Sequence, residues 1–106
     1  FAMVPTGVKA YMQADEVLLL YIRSSMAVKR QLMLMNGVAV IDADYYGNAD
    51  NEGHIIVPLY NYGREPVSIA AGERIAQGIF TRYLAADGDM AGCGRARSGG
   101  FGSTGA

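Results

Sequence analysis

A chain of 106 residues with a formal net charge of -1 is long enough for one small domain and lacks the basic surplus of a protein that binds nucleic acid polymers. Its single cysteine, Cys93, cannot form an internal disulfide, which fits a reducing compartment, so we expect a cytoplasmic protein. No apolar run approaches the roughly 20 residues of a membrane-spanning helix, and the sequence therefore predicts no membrane partner.

Short apolar segments separated by Gly, Asn, Asp and Pro predict an all-β fold, as a sandwich, barrel or jelly roll. One short helix is predicted over Ser24–Gln31, with a serine N-cap and basic residues in its last turn. Met33 and Met35 are predicted to pack in the core. The predicted strands are Val4–Met12, Glu16–Ile22, Val38–Ile41, His54–Tyr62, Val67–Ala70 and Arg74–Tyr83.

Composition changes after Tyr83 and divides the chain into two parts. Residues 1–84 form the predicted β domain, and residues 85–106 form a glycine-rich C-terminal segment with one aromatic residue, Phe101. The final GGFGSTGA has the glycine spacing of a phosphate-binding P-loop, but Ala106 stands where that motif requires lysine. Taken alone, the segment is too poor in apolar residues to fold and is predicted to be a mobile tail.

Arg23, Ser24 and Ser25 follow the apolar run of Glu16–Ile22 and begin the predicted helix. A guanidinium, two hydroxyls and the N–H groups of a helix start suit a phosphate ligand. The alternative is a capping serine pair beside a surface arginine.

The acidic turn Asp42–Gly53 is compared first with a calcium-binding loop. That interpretation is rejected, because position 5 of such a loop would be Tyr46 and position 12 would be Gly53. Asp42 instead follows directly after an apolar strand, where a carboxylate can act as a general base. The alternative is an ordinary acidic turn. His54 is predicted to be a strand residue, and Gln77 either an outward polar residue or a site residue.

Four fragments in this order resemble the motifs of the trimeric dUTPases. They are RSS (23–25), NGVAVIDADYYGN (36–48), RIAQGIF (74–80) and RSGGFGSTG (97–105). The resemblance implies a distorted jelly roll, or β-clip type sandwich, with one short helix, assembled as a homotrimer with active sites shared at the subunit interfaces. It also implies Mg²⁺-dependent hydrolysis of dUTP to dUMP and pyrophosphate, with the C-terminal segment closing over the site as an arm.

The resemblance implies roles for individual residues. Asp42 matches the aspartate that activates the attacking water, and Ser24 and Gln77 match further catalytic positions. Asn36 matches the side chain that reads uracil, and Tyr45 the ring that packs on the deoxyribose and rejects UTP. The implied substrate-binding residues are Arg23, Ser24, Ser25, Asn36, Val40, Ile41, Asp42, Tyr45, Gln77, Arg97, Phe101, Gly102, Ser103 and Thr104.

Three features depart from the family pattern. The first motif, whose aspartate supports Mg²⁺ through water, is expected upstream of VPTGVKA (4–10), so no residue is assigned to the metal, which the triphosphate would largely hold. Ala39 stands where glycine is common. In the arm, Arg97 takes the place of the phosphate-binding arginine, with Arg95 as the alternative.

Two other functions stay open at the level of sequence. A dCTP deaminase shares the sheet and a similar phosphate loop, but the Asp42–Tyr45 segment and the GGFGSTG arm favour a dUTPase. The third possibility is a non-catalytic regulatory protein that binds a protein partner in response to dUTP.

Overall fold

The computed structural model of the protein describes residues 1–89 and residue 100. Within that part of the chain, the fold is all-β with one short helix, as predicted, and neither helical segment is long and apolar enough to cross a membrane. The strands are β1 (Ala2–Pro5), β2 (Glu16–Ile22), β3 (Leu32–Leu34), β4 (Ala39–Asp42), β5 (Ile56–Asn61) and β6 (Ala76–Arg82), with helix α1 (Ser24–Val28) after β2 and a 3₁₀ helix (Ala43–Tyr45) after β4.

The strands form two antiparallel sheets of three strands each. One sheet has the order β1-β5-β3 and the other the order β4-β2-β6. Strand β2 is therefore the central strand of its sheet, with Val17 opposite Asp42 on one side and Tyr21 opposite Gln77 on the other. This register fixes where along β2 each predicted site residue lies.

Buried side chains of both sheets form one hydrophobic core. Leu34 and Val57, from β3 and β5, are the most deeply buried, with 1% and 2% of their surface exposed. Leu18 and Leu20 of β2 belong to the same cluster. They also lie directly over Gly78, where a Cβ atom would come within 3.0 Å of a Leu18 methyl carbon. A side chain at Gly78 would therefore displace the packing of β2 on β6.

Two predicted strands differ from the structure. Residues 6–12 leave the sheet after β1, because Gly7 adopts a positive φ of 72° and turns the chain. Residues 67–70 lie outside the strands, although Val67 and Ile69 still pack against the core. Their apolar character reflects burial and not ladder pairing.

The predicted helix is too long, and its capping was wrong. Helix α1 ends at Val28, its N-cap residue is Arg23 without a side-chain cap hydrogen bond, and its last turn holds no basic residue. The chain then turns at Gln31, with a φ of 57°, into β3. Pairing of β3 with β5 ends the helix, so tertiary contacts override the local helical pattern.

The prediction that Met33 and Met35 pack in the core was also wrong, because 40% and 47% of their surfaces are exposed. Alternation along β3 places Leu32 and Leu34 on the buried face and Met33 on the opposite one. The buried residues of this segment are the leucines.

We expect Leu34→Ala to lower the free energy of unfolding by about 2–5 kcal/mol, because it leaves a cavity in the core. Met33→Ala, on the adjacent position and the exposed face, should change it by less than about 1 kcal/mol. Denaturant unfolding of both variants at one protein concentration checks this, and equal losses would contradict the assignment of faces on β3.

Candidate functional site

A cavity of about 190 Å³ lies beside β4 and collects the residues predicted to bind base and sugar. It contains the predicted Asn36, Val40, Ile41, Asp42 and Tyr45. The other lining residues are Ala39, Ile56 and Gly100.

Local structure explains how this set comes together. The turn before β4 is closed by a hydrogen bond from the Gly37 N–H to the Leu34 carbonyl oxygen, 3.0 Å long, and Asn36 lies in this turn, three residues before the strand begins. Asp42 ends β4 in an extended conformation and is the N-cap residue of the 3₁₀ helix. That helix reverses the chain within three residues, so the ring of Tyr45 returns to the cavity beside Asp42.

Tyr45 is held by the loop that follows it. The residue is 8% exposed, and its hydroxyl donates a 2.6 Å hydrogen bond to the His54 carbonyl oxygen. Asn48, the buried polar residue among those described, donates 2.7 Å hydrogen bonds to the Tyr45 carbonyl oxygen and to Asn51 Oδ1. Buried polar groups require such partners, so this loop is a folded unit and not a loose turn.

Tyr83, directly after β6, is under the electrostatic influence of several carboxylates. Its pKa is raised, first because of desolvation and then because of the negative charges of Asp42, Asp89, Asp44 and Asp15. The hydroxyl donates a 3.2 Å hydrogen bond to the Ala14 carbonyl oxygen. Tyr83 therefore stays a neutral phenol at physiological pH and adds no charge beside Asp42.

The predicted phosphate-binding residues lie elsewhere in the same chain. Gln77 pairs with Tyr21 near the end of β2, and the Arg23 N–H donates to the Ile75 carbonyl oxygen, so the RSS segment and Gln77 are neighbours. Asp42 pairs with Val17 near the other end of the same strand. The extended chain from Val17 to Arg23 spans about 20 Å. One protomer therefore does not bring the two groups together.

The predicted residues of the arm lie outside the described residues. They are Arg97, Phe101, Gly102, Ser103 and Thr104, with Arg95 as the alternative to Arg97. Gly100 is described, and it lies against the Tyr45 ring, where a Cβ atom would be 3.4 Å from Cε1. One residue of the predicted arm thus reaches the cavity.

Comparisons with known proteins identify the family of the chain. The family model for dUTPase matches residues 2–105. A deoxyuridine 5'-triphosphate nucleotidohydrolase of Lactococcus lactis is 55% identical over 104 residues, which cover 98% of this chain and 69% of the relative. The corresponding protein of Desulfitobacterium hafniense is 40% identical, over 96% of this chain and 66% of the relative.

The chain belongs to the dUTPase family. A crystal structure of dUTPase from Streptococcus mutans superimposes with a TM-score of 0.78 and 53% sequence identity. That match covers 82% of this chain and 68% of the other. The chain thus spans about two thirds of the length of the relatives it matches.

Sequence reasoning missed part of this dUTPase-type site. Ile56 lines the cavity from β5, and Asn48 and Asn51 support Tyr45 from the loop. The signal for the loop was present as clustered Asn and Gly after Tyr45, but these residue types mark any turn. Ile56 carried no signal, because β5 and β4 belong to different sheets and only the packing of the two sheets brings Ile56 to the cavity beside β4.

The described residues offer no group of three or more His, Cys, Asp or Glu side chains arranged to hold a metal ion. Asp42 lines the cavity, and in proteins Mg²⁺ usually takes only one or two carboxylates, with phosphate and water oxygens as its other ligands. The side chains described here therefore do not fit a metal centre of their own.

We expect Asn48→Ala to lower the free energy of unfolding by about 1–3 kcal/mol, because it leaves the buried partners of the amide without hydrogen bonds. Asp50→Ala is the matched control, since the exposed Asp50 contributes its backbone N–H to Asn48. Denaturant unfolding measures both variants. Equal stability of the two would show that the Asn48 amide does not hold the loop.

Proposed function

We propose that this protein hydrolyses dUTP to dUMP and pyrophosphate, as the names of its relatives state for them. The observation that carries the proposal is the cavity in which Asn36, Asp42 and Tyr45 converge. It combines an amide that can read a base edge, a carboxylate that can act on water, and an aromatic wall. These three groups suit the base, the α-phosphate and the sugar of a deoxyuridine nucleotide.

Asp42 is the proposed general base. Its carboxylate orients a water molecule and accepts a proton as the water oxygen attacks the α-phosphorus. The bond from the α-phosphorus to the bridging oxygen breaks, and pyrophosphate leaves with that oxygen. The position of Asp42 at the end of β4 suits this role, because the strand fixes its backbone while its side chain lines the cavity.

Base and sugar are selected by the remaining lining residues. Asn36 and the backbone of Val40 and Ile41 would pair with the uracil edge, whereas cytosine would present the opposite donor and acceptor pattern and leave buried groups unpaired. The Tyr45 ring would pack on the deoxyribose, where a 2′-hydroxyl has no room.

A second copy of the chain would complete the site. Because Arg23, Ser24, Ser25 and Gln77 lie at the far end of β2 from Asp42, they would serve the cavity of a neighbouring subunit. We propose a homotrimer with three such shared sites, consistent with the family.

Exposed apolar surface supports this assembly. Strand β6 is exposed along nearly its whole length, with 53% of Ile79 and 56% of Phe80 accessible, and Val8 and Tyr11 are exposed beside it. A groove of about 610 Å³ lies between these segments. Contiguous apolar surface of this kind marks protein interfaces.

Mg²⁺ would enter this site with the substrate. The metal would take its oxygens mainly from the triphosphate and from water, and would neutralise phosphate charge. The chain's own contribution would be to position the nucleotide so that Asp42 faces the α-phosphorus.

We expect Asp42→Asn to abolish dUTP hydrolysis while nucleotide binding persists, because the amide keeps the shape of the carboxylate and cannot accept the proton. Asp44→Asn, two residues away and outside the cavity lining, should retain activity. Pyrophosphate release and equilibrium binding of dUTP measure the two properties. Near wild-type turnover of Asp42→Asn would remove Asp42 as the base.

The same assay run with dUTP, dCTP, dTTP and UTP separates the competing functions. Pyrophosphate from dUTP, and little from the others, supports the proposal. Uridine nucleotides formed from dCTP would identify a deaminase. Binding of dUTP without turnover by the unaltered protein would identify the regulatory alternative.

Sharing of the site between subunits predicts complementation between inactive variants. Mixing Asp42→Asn with Arg23→Ala before assembly should restore about a quarter of wild-type activity, because one site in four takes both intact halves in a symmetric oligomer. Asp42→Asn mixed with Asn36→Ala is the control, since both changes damage the same half. No recovery in the first mixture, with mixed oligomers shown by co-purification, would contradict the shared site.

A further inference from the structure

The hydroxyl of Tyr45 is held from two sides by the loop after it. It donates to the His54 carbonyl oxygen at 2.6 Å and accepts from Asn51 Nδ2 at 2.9 Å. A hydroxyl has one proton to donate, and here both donor and acceptor functions are engaged. The far end of the ring is thus anchored, and the tilt of the ring face that lines the cavity is fixed.

Asn51 is itself oriented by its neighbours. Its Oδ1 accepts hydrogen bonds from Asn48 Nδ2 at 2.7 Å and from the Gly53 N–H at 3.0 Å. Two donors on one side of the amide assign that side to the oxygen, and the NH₂ group must therefore face the Tyr45 hydroxyl. The direction of the hydrogen bond onto Tyr45 follows from this arrangement.

Backbone contacts keep the loop from moving away from Tyr45. The Asn51 N–H donates to Asn48 Oδ1 at 3.1 Å, while Asn48 Nδ2 donates to the Tyr45 carbonyl oxygen. Gly53 has a φ of 95°, and a Cβ atom there would lie 2.9 Å from the Tyr46 Cα and 3.1 Å from the Tyr45 carbonyl oxygen. Glycine is needed for this close approach. The loop and the 3₁₀ helix before it are locked together.

We propose that Asn51 is a positioning residue for sugar selection, and that it acts through the Tyr45 hydroxyl. This inference rests on the proposed function, in which the Tyr45 ring packs on the deoxyribose. A wall excludes one extra hydroxyl by shape only if it cannot yield, since an apolar pocket alone discriminates weakly against such a group. The hydrogen bond from Asn51 holds the Tyr45 ring in place, and without this bond the ring can tilt to admit a 2′-hydroxyl.

The test measures kcat/KM for dUTP and for UTP with the 106-residue chain. Asn51→Ala should reduce the preference for dUTP over UTP by roughly tenfold, the effect of losing about one hydrogen bond. Asp50→Ala is the control in the same loop, because the exposed Asp50 side chain lies outside this network, and it should leave the ratio unchanged. Unfolding curves for each variant show whether altered ratios accompany lost stability.

A double-mutant cycle identifies the path of the effect. Tyr45→Phe keeps the ring and removes the hydroxyl, so it should reduce the preference for dUTP over UTP by a similar factor. Adding Asn51→Ala to Tyr45→Phe should then leave the ratio of the two kcat/KM values unchanged. Tyr45→Phe also serves if Asn51→Ala does not fold, because it leaves the Asn51 side chain in place.

Two results would overturn the inference in a protein that still hydrolyses dUTP. One is an equal fall in kcat/KM for dUTP and for UTP in Asn51→Ala. The other is additive effects of the two substitutions on the ratio of the two kcat/KM values. An unchanged ratio in Tyr45→Phe would overturn it as well. Failure of the unaltered protein to hydrolyse dUTP would instead overturn the proposed function, and this inference with it.

Discussion

Antiparallel pairing on both edges of β2 positions the other elements of its sheet and the candidate site residues. Strand β2 pairs with β4 along one edge and with β6 along the other, so both neighbours are fixed in register. That register places Asp42 near one end of β2 and Gln77 near the other. The polar groups proposed to act on one substrate are therefore separated within a chain. Their separation is a property of the fold, and a slip of register by one residue would also turn the leucines of β2 out of the core.

Rigidity at the cavity comes from polar contacts, in contrast to the apolar packing of the sheets. The loop after the 3₁₀ helix buries Asn48 and engages its amide with Tyr45, Asn51 and neighbouring N–H groups. A satisfied buried network specifies one geometry, because each alternative geometry leaves polar atoms unpaired. Leucine packing is less directional and tolerates small shifts. Such a division suits the proposed exclusion of a 2′-hydroxyl, since the wall that excludes it has to keep its position.

A small domain also has little interior. A chain of this size buries only roughly 60–68% of the surface its unfolded form exposes, so its stability as an isolated unit is limited. Strand β6 leaves Ile79 and Phe80 exposed although it is paired along β2. Packing of a second copy against this face would add buried apolar area and would bring the far end of a β2 strand toward another subunit's cavity. Packing of a second copy would then both stabilise the domain and complete the site.

Local patterns were enough to predict the all-β class, the bounds of β2, the family resemblance and the candidate site residues Asn36, Asp42 and Tyr45, because apolar runs and short motifs are local. They did not determine the end of helix α1, the outward position of Met33, or the short β1, which depend on pairing with distant strands. Three features appear only in the folded chain: Ile56 lines the cavity, Asn51 donates to the Tyr45 hydroxyl, and Arg23 and Gln77 lie apart from Asp42. The physical reason is that sheet register and side-chain hydrogen bonds join residues far apart in the chain, and local pattern carries no record of those partners.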